Sequence, residues 1–237
     1  MSDLFSVPIG DLILWFVVFL FSLSFHEAAH AWTSEKYGDY TGRYQGRITL
    51  NPLAHIDPIG TILFPLMGFM RGGIAMFGWA KPVETNPLLW RDKTKANIMV
   101  SAAGPISNFI LATVAFIIMK ALLISGIAMP PFMGGGPFSL IVPAPGQPAF
   151  MEPLTTLISI FLLLNVTLGV FNLIPVPPLD GSHVLESLLP YEMAQAYSQL
   201  RPYGFILLIA LMLIGVFRWI LNPVIEVVLR LLYSGYF

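Results

Sequence analysis

The chain has 237 residues, 56% of them hydrophobic and only 11% charged, with a net charge of −1. About a quarter of a soluble domain is charged, so this composition excludes an ordinary globular protein, and the near-neutral balance gives no reason to expect nucleic acid. There is no cysteine, which rules out disulfides and thiolate metal sites and leaves His, Asp and Glu as the only metal ligands.

The first apolar run, residues 11–32, has no basic stretch before it and no small-residue cleavage site, so it reads as a retained helix and not a signal peptide. It is interrupted by Ser22, Ser24 and the group His26, Glu27 and His30, residues that ordinary spanning helices avoid. Residues 33–57 turn polar, and Gly42 to Asn51 alternates loosely between Gly and an Asn-Pro pair, which predicts a short strand. Residues 58–70 are apolar but too few to cross a bilayer, which takes about 20, unless tilted. Basic residues flank that segment on both sides, so it is expected to dip in and return, with a tilted crossing as the alternative. A second strand is expected over 74–83, then a full span over 97–123.

Residues 125–151 are rich in Gly and Pro and carry no Lys or Arg. Residues 154–174 form another apolar segment, closed by the turn from Pro175 to Gly181, after which 182–189 predicts a short helix. The run 203–217, then Arg218 and an apolar stretch to 233, completes the chain. No internal repeat and no linker appears, so 1–237 is expected to be a single membrane-embedded domain. The expected fold is an all-α polytopic bundle of about four to five spanning helices, with a small re-entrant β element near the active site.

Topology follows from the basic residues. Lys36, Arg43, Arg47, Arg71, Lys81, Arg91, Lys93 and Lys95 all lie between the first and second full spans. Positive loops stay cytoplasmic, so 125–151 is external and the first helix enters from outside.

The strongest chemical signal is His26-Glu27-Ala28-Ala29-His30. Residues i and i+4 share a helix face, so both imidazoles can reach one metal ion with Glu27 beside it. Two buried histidines satisfied by hydrogen bonds are the bland reading, but three ionisable groups in one membrane turn are costly without a purpose. A catalytic zinc keeps three protein ligands and an open position. Asp180, at the cytoplasmic end of an apolar segment, is the best third candidate. His26 lies roughly 22 Å into the first segment, also toward that side. An Asp-Gly pair is equally a common turn, and His55 and His183 are rivals for the third position.

Three blocks in order give the chain a resemblance to the site-2 protease family of intramembrane zinc metalloproteases. They are the HEAAH block, Ala103-Gly-Pro-Ile-Ser-Asn108, and the stretch Asn172 to Gly181 containing Pro-Val-Pro-Pro-Leu-Asp. The resemblance covers nearly the whole chain. It implies one zinc ion per chain held by His26, His30 and Asp180, with Glu27 as the catalytic base. It implies a membrane-dipping β element after the first motif. It also implies single-span membrane-protein substrates, already trimmed by another protease, and residence in the plasma membrane of a prokaryote with the active site toward the cytoplasm. No PDZ domain interrupts the chain and no nucleotide-binding pair of domains follows, so it resembles the minimal branch.

Asn108 and Asn172 each admit two readings: interhelical hydrogen bonds worth about 0.6 kcal/mol, or contact with the substrate backbone or the oxyanion. His55 is expected to line the mouth of the site, and His183 to support the site from behind or lie on the surface. The main rival function is a membrane zinc-binding or transport protein using the same ligands. Transporters usually carry internal repeats, and nothing in transport requires a Glu between two His ligands. A catalytically dead scaffold is the third reading; the intact ligand set and Glu27 argue against it.

Overall fold

A computed structural model describes residues 7–70, 78–132 and 134–236. Helix α1 runs Ile9–Lys36, a first-turn Asp11 and a last-turn Lys36 matching the helix dipole at each end. It stops at Gly38, whose φ of 108° takes the chain out of the helical region. A four-residue helix α2, Thr41–Tyr44, follows. The strand expected over Gly42–Asn51 is therefore not there: α2 takes its first residues, and 45–51 are turns and bends that lead into a 3-10 turn at Pro52–Ala54. Loose alternation lost to local turn chemistry, since Asn51 caps the turn by accepting from the Leu53 N–H and Pro52 fits the first turn of a helix.

Residues Pro58–Leu63 form a π-helical segment capped by Asp57, continuing as α3, Phe64–Met70. The apolar segment Pro58–Met67 is too short to span. The chain also comes back to where it left: the Trp79 N–H donates to the Gly60 carbonyl (3.2 Å) and the Thr61 hydroxyl to the Trp79 carbonyl (2.8 Å). Gly60, Thr61 and Trp79 thus lie side by side, which fits a segment that returns and argues against a tilted crossing between them. Of the strand expected over 74–83, residues 74–77 lie outside the described ones, and 78–83 carry no assigned strand. Their backbone still bonds with a period of two: Trp79 N–H to Gly60, Lys81 N–H to the His55 carbonyl (2.8 Å) and Val83 N–H to Glu27 (2.8 Å), the spacing of a strand edge.

Helix α4, Lys93–Ile124, is capped by Asp92 and contains Pro105. The two-stranded antiparallel sheet, β1 Ala128–Met129 with β2 Val142–Pro143, lies in the loop expected to be external and not beside the dipping segment. Helix α5, Met151–Asn172, is followed by α6, Asp180–Leu188, and α7, Tyr191–Ser198. The last apolar stretch is one broken element: α8, Gly204–Leu213, and α9, Val216–Leu232, meet at Gly215 with φ 81°. Arg218 sits in the first turn of α9, just past the break.

Among the described residues, four helices are long and apolar enough to cross a membrane: Ile9–Lys36, Lys93–Ile124, Met151–Asn172 and the composite Tyr191–Leu213. Helices α1, α4 and α5 pack on one another. Trp15, Val18, Phe19 and Leu23 of α1 interdigitate with Ile160, Leu164 and Leu168 of α5. Ala112, Ala115 and Met119 of α4 meet Leu162 and Val166 on the same helix. Gly169 lets α5 approach α4, since a Cβ there would lie 2.8 Å from the Phe109 ring.

Candidate metal centre

Helical spacing puts His26 and His30 on one face of α1, their ring centroids 4.6 Å apart. Asp180 is the first residue of α6 and reaches the same point: its Oδ2 lies 3.1 Å from His26 Nε2 and 3.4 Å from His30 Nε2, and the two Nε2 atoms are 3.0 Å apart. Gly181 is what lets α6 start there. A Cβ at 181 would fall 2.2 Å from the Leu173 carbonyl oxygen, so the Asp-Gly pair is a packing requirement as well as a turn signal. All three side chains are buried or nearly so.

The protons of this triangle can be placed. His30 Nδ1 lies 2.7 Å from the Val100 carbonyl, a pure acceptor, so Nδ1 carries the proton and Nε2 offers a lone pair. His26 Nδ1 lies 2.7 Å from Asn108 Oδ1 and donates in the same way. Among the described residues no donor reaches the buried Asp180 Oδ2. With both imidazoles neutral, two lone pairs and a carboxylate oxygen face one another, a repulsive arrangement that a cation resolves. Tetrahedral zinc with bonds of about 2.0–2.2 Å separates its ligand atoms by about 3.3–3.5 Å, close to the triangle found. Gly104 of α4 leaves the space the two imidazoles occupy: a Cβ there would stand 2.4 Å from His30 Nε2 and 2.5 Å from His26 Nε2.

Glu27 lines the same cavity, of about 500 Å³, together with Trp79, Val83, Asn97, Asn172, His183 and Phe205. Its Oε2 accepts from the Val83 N–H, which ties the returning segment to α1. Asn172 borders the cavity, its Nδ2 donating to the Leu168 carbonyl (3.0 Å). Asn108 is fully buried behind His26 and does not line the cavity.

His55 does not join the triangle, nor does it line this cavity. Its Nε2 donates to the Thr49 carbonyl (2.9 Å) and its backbone carbonyl accepts from Lys81, so it pins loop to loop. Burial pushes its imidazole below the ordinary value and keeps it neutral. His183 lines the cavity without reaching the triangle; burial, then the Arg201 charge, push it down as well.

Asp39 is a second buried hub. It accepts from the Ser34 hydroxyl, the Thr41 N–H and hydroxyl, and the Asn86 N–H, and the Trp90 indole donates to Ser34. This network fastens the returning segment to the end of α1.

Sequence reasoning gave no role to Gly104 or Ser22 and passed over Asn165. Asn165 donates to Ser22 Oγ and to the Phe161 carbonyl, both at 2.9 Å, and accepts from Asn108 Nδ2 at 2.9 Å. The available signal was an Asn in the middle of an apolar span, expensive there unless partnered.

The family model for "Peptidase family M50" matches residues 14–215. The chain is 35% identical over 210 residues to "Putative zinc metalloprotease YwhC" of Bacillus subtilis (strain 168), an overlap of 89% of this chain and 84% of that protein. It is 30% identical over 212 residues to "Putative zinc metalloprotease Rip2" of Mycolicibacterium smegmatis, covering 86% and 68%. No solved structure matches the chain.

Proposed function

This chain belongs to peptidase family M50, and we propose that it is an intramembrane zinc endopeptidase that cuts membrane-protein substrates near the cytoplasmic face of the bilayer. The observation that carries this reading is the convergence of His26, His30 and Asp180 with Glu27 on the adjoining cavity wall. His26 and His30 through Nε2, and Asp180 through Oδ2, are the metal's holders. When bound, zinc supplies Lewis acidity, bringing the pKa of water beside it far down, toward about 7, and polarising the scissile carbonyl. Glu27 takes the water's proton on its second carboxylate oxygen, because Val83 holds the first, and then passes it to the leaving amine nitrogen.

A helical substrate hides its carbonyls in i→i−4 bonds and has to unwind before attack. The segment 78–83 borders the cavity, and its N–H groups at 79, 81 and 83 are all committed to the body of the protein. The opposite edge is then available to hold an unwound substrate by strand addition. Basic residues at the Lys36 and Lys93 ends of α1 and α4 support placing the metal centre on the cytoplasmic side of a plasma membrane. Single-span proteins, trimmed beforehand by another protease, are the substrates this reading expects.

The test is zinc stoichiometry and cleavage of a model membrane peptide, measured on purified wild type, Asp180→Ala and Glu27→Gln. Asp180→Ala is expected to lose both metal and cleavage, and Glu27→Gln cleavage alone. A Glu27→Gln protein that still cleaves, or zinc-dependent transport by a wild type that never cleaves, overturns the proposal.

A further inference from the structure

We propose that Asn165 is a positioning residue that fixes the proton of His26 from two helices away, acting through Asn108. The inference rests on the metal-centre reading and concerns residues that the mechanism above does not use.

The argument is one of forced orientation. A side-chain amide has a donor end and an acceptor end, and only its partners decide which points where. The chain of decisions starts at the Phe161 carbonyl, which can only accept. It lies 2.9 Å from Asn165 and therefore takes the Nδ2 end of that amide. Ser22 Oγ, 2.9 Å from the same nitrogen, accepts as well. Asn165 Oδ1 is then left facing Asn108, and accepts from Asn108 Nδ2 at 2.9 Å. That turns Asn108 Oδ1 toward His26, where it accepts from Nδ1 at 2.7 Å. With the proton held on Nδ1, His26 Nε2 is free to bind metal.

Reversing any link reverses the end. If Asn108 turned its NH₂ toward His26, the imidazole proton would move to Nε2 and close the ligand position. Among the described residues, the hydrogen bonds of Asn108 run to His26 and Asn165 alone, so Asn165 chooses between its two orientations, and Ser22, Asn108 and Asn165 are all fully buried, so bulk water does not make the choice either. His30 needs no such relay, because its Nδ1 meets a backbone carbonyl directly.

The decisive experiment is a double-mutant cycle read by zinc affinity, from chelator competition in detergent, with cleavage as a second readout. The variants are Asn108→Leu, Asn165→Leu and the pair, each first checked for monodisperse elution. Asn165→Ser, too short to reach Asn108, replaces any Leu variant that does not pass. Outer partners of metal-bound His are worth about 10–100-fold in affinity, and a loss of that order is expected for each single variant. The pair is expected to lose no more than Asn108→Leu alone, because Asn165 acts only through Asn108. Asn165→Asp is expected to keep near-wild-type affinity, since a protonated carboxyl donates to Phe161 and accepts from Asn108, while the Ser22 hydroxyl turns to donate to it. Losses that multiply in the pair, or an Asn165→Leu protein with wild-type affinity, overturn the relay. A wild type that binds no zinc overturns instead the metal-centre reading on which it rests, and His26→Ala serves as the control for that reading.

Discussion

Gly104→Ala is the sharpest perturbation the metal centre offers, because it adds one carbon and removes nothing. The new Cβ would lie 2.4 Å from His30 Nε2 and 2.5 Å from both Cε1 and Nε2 of His26. Carbon contacts are comfortable at about 3.5–4.0 Å, so both rings have to retreat by about 1 Å. Each ring is held from behind, His26 by Asn108 and His30 by the Val100 carbonyl, so the retreat also breaks the bonds that fix their protons. Misplacement by about 1 Å can cost roughly 100-fold in rate, and the weakened outer bonds add a 10–100-fold loss in metal affinity. The fold should hardly notice. Overpacking costs about 1–3 kcal/mol, offset by the roughly 1 kcal/mol that Ala gains over Gly inside a helix. Zinc affinity and peptide cleavage are measured beside the apo melting temperature, with Gly10→Ala as the control, since its Cβ meets nothing within 4 Å. A Gly104→Ala protein with zinc affinity and cleavage within twofold of wild type would refute the geometry.

Four further outcomes are expected. Val83→Pro deletes the N–H that holds Glu27 Oε2 and should lower kcat at least tenfold with zinc content unchanged, while Val83→Ala should not; equal activity in both removes the role given to that amide. Gly181→Ala pushes the start of α6 off the Leu173 carbonyl and should lower zinc affinity by moving Asp180, read by chelator competition. Proline at Ala80 or Glu84, on the strand edge not tied to the body, should slow cleavage of a membrane peptide; unchanged rates would end the strand-addition idea. Asp39 titrates below the ordinary carboxylate value: burial alone raises it, and the donors from Ser34, Thr41 and Asn86 outweigh that. A depressed folded-state pKa means stability that is present above the unfolded value, about 3.9, and lost as pH falls through the folded one. Thermal melts should therefore drop below about pH 4, and less steeply in Asp39→Asn.

Much of this was legible in the residues. Spans appeared where apolar runs exceeded about 20 residues, and α1, α4 and α5 begin and end within a few residues of the expected limits. The convergence of His26 and His30 follows from helical periodicity, which is local. Asp180 is different: its position depends on how α6 docks against Leu173, and no spacing rule carries that information. Gly42–Asn51 misled because loose alternation is a weak signal beside Asn and Pro, whose capping chemistry acts within three residues. The break at Gly215 was invisible for a similar reason, since a Gly in an apolar run reads the same in a straight helix as in a left-handed corner. Asn165 could have been suspected from its cost in lipid, but its partner lies on another helix.

The metal centre draws on four separate pieces of the chain: imidazoles from α1, a carbonyl and a glycine cradle from α4, an amide pair shared by α4 and α5, and a carboxylate from α6. Metallation therefore doubles as an assembly checkpoint. On the proposed reading, a chain that has inserted only its first helix holds both histidines but not Asp180, so tight zinc binding, and with it activity, waits until three later segments have docked.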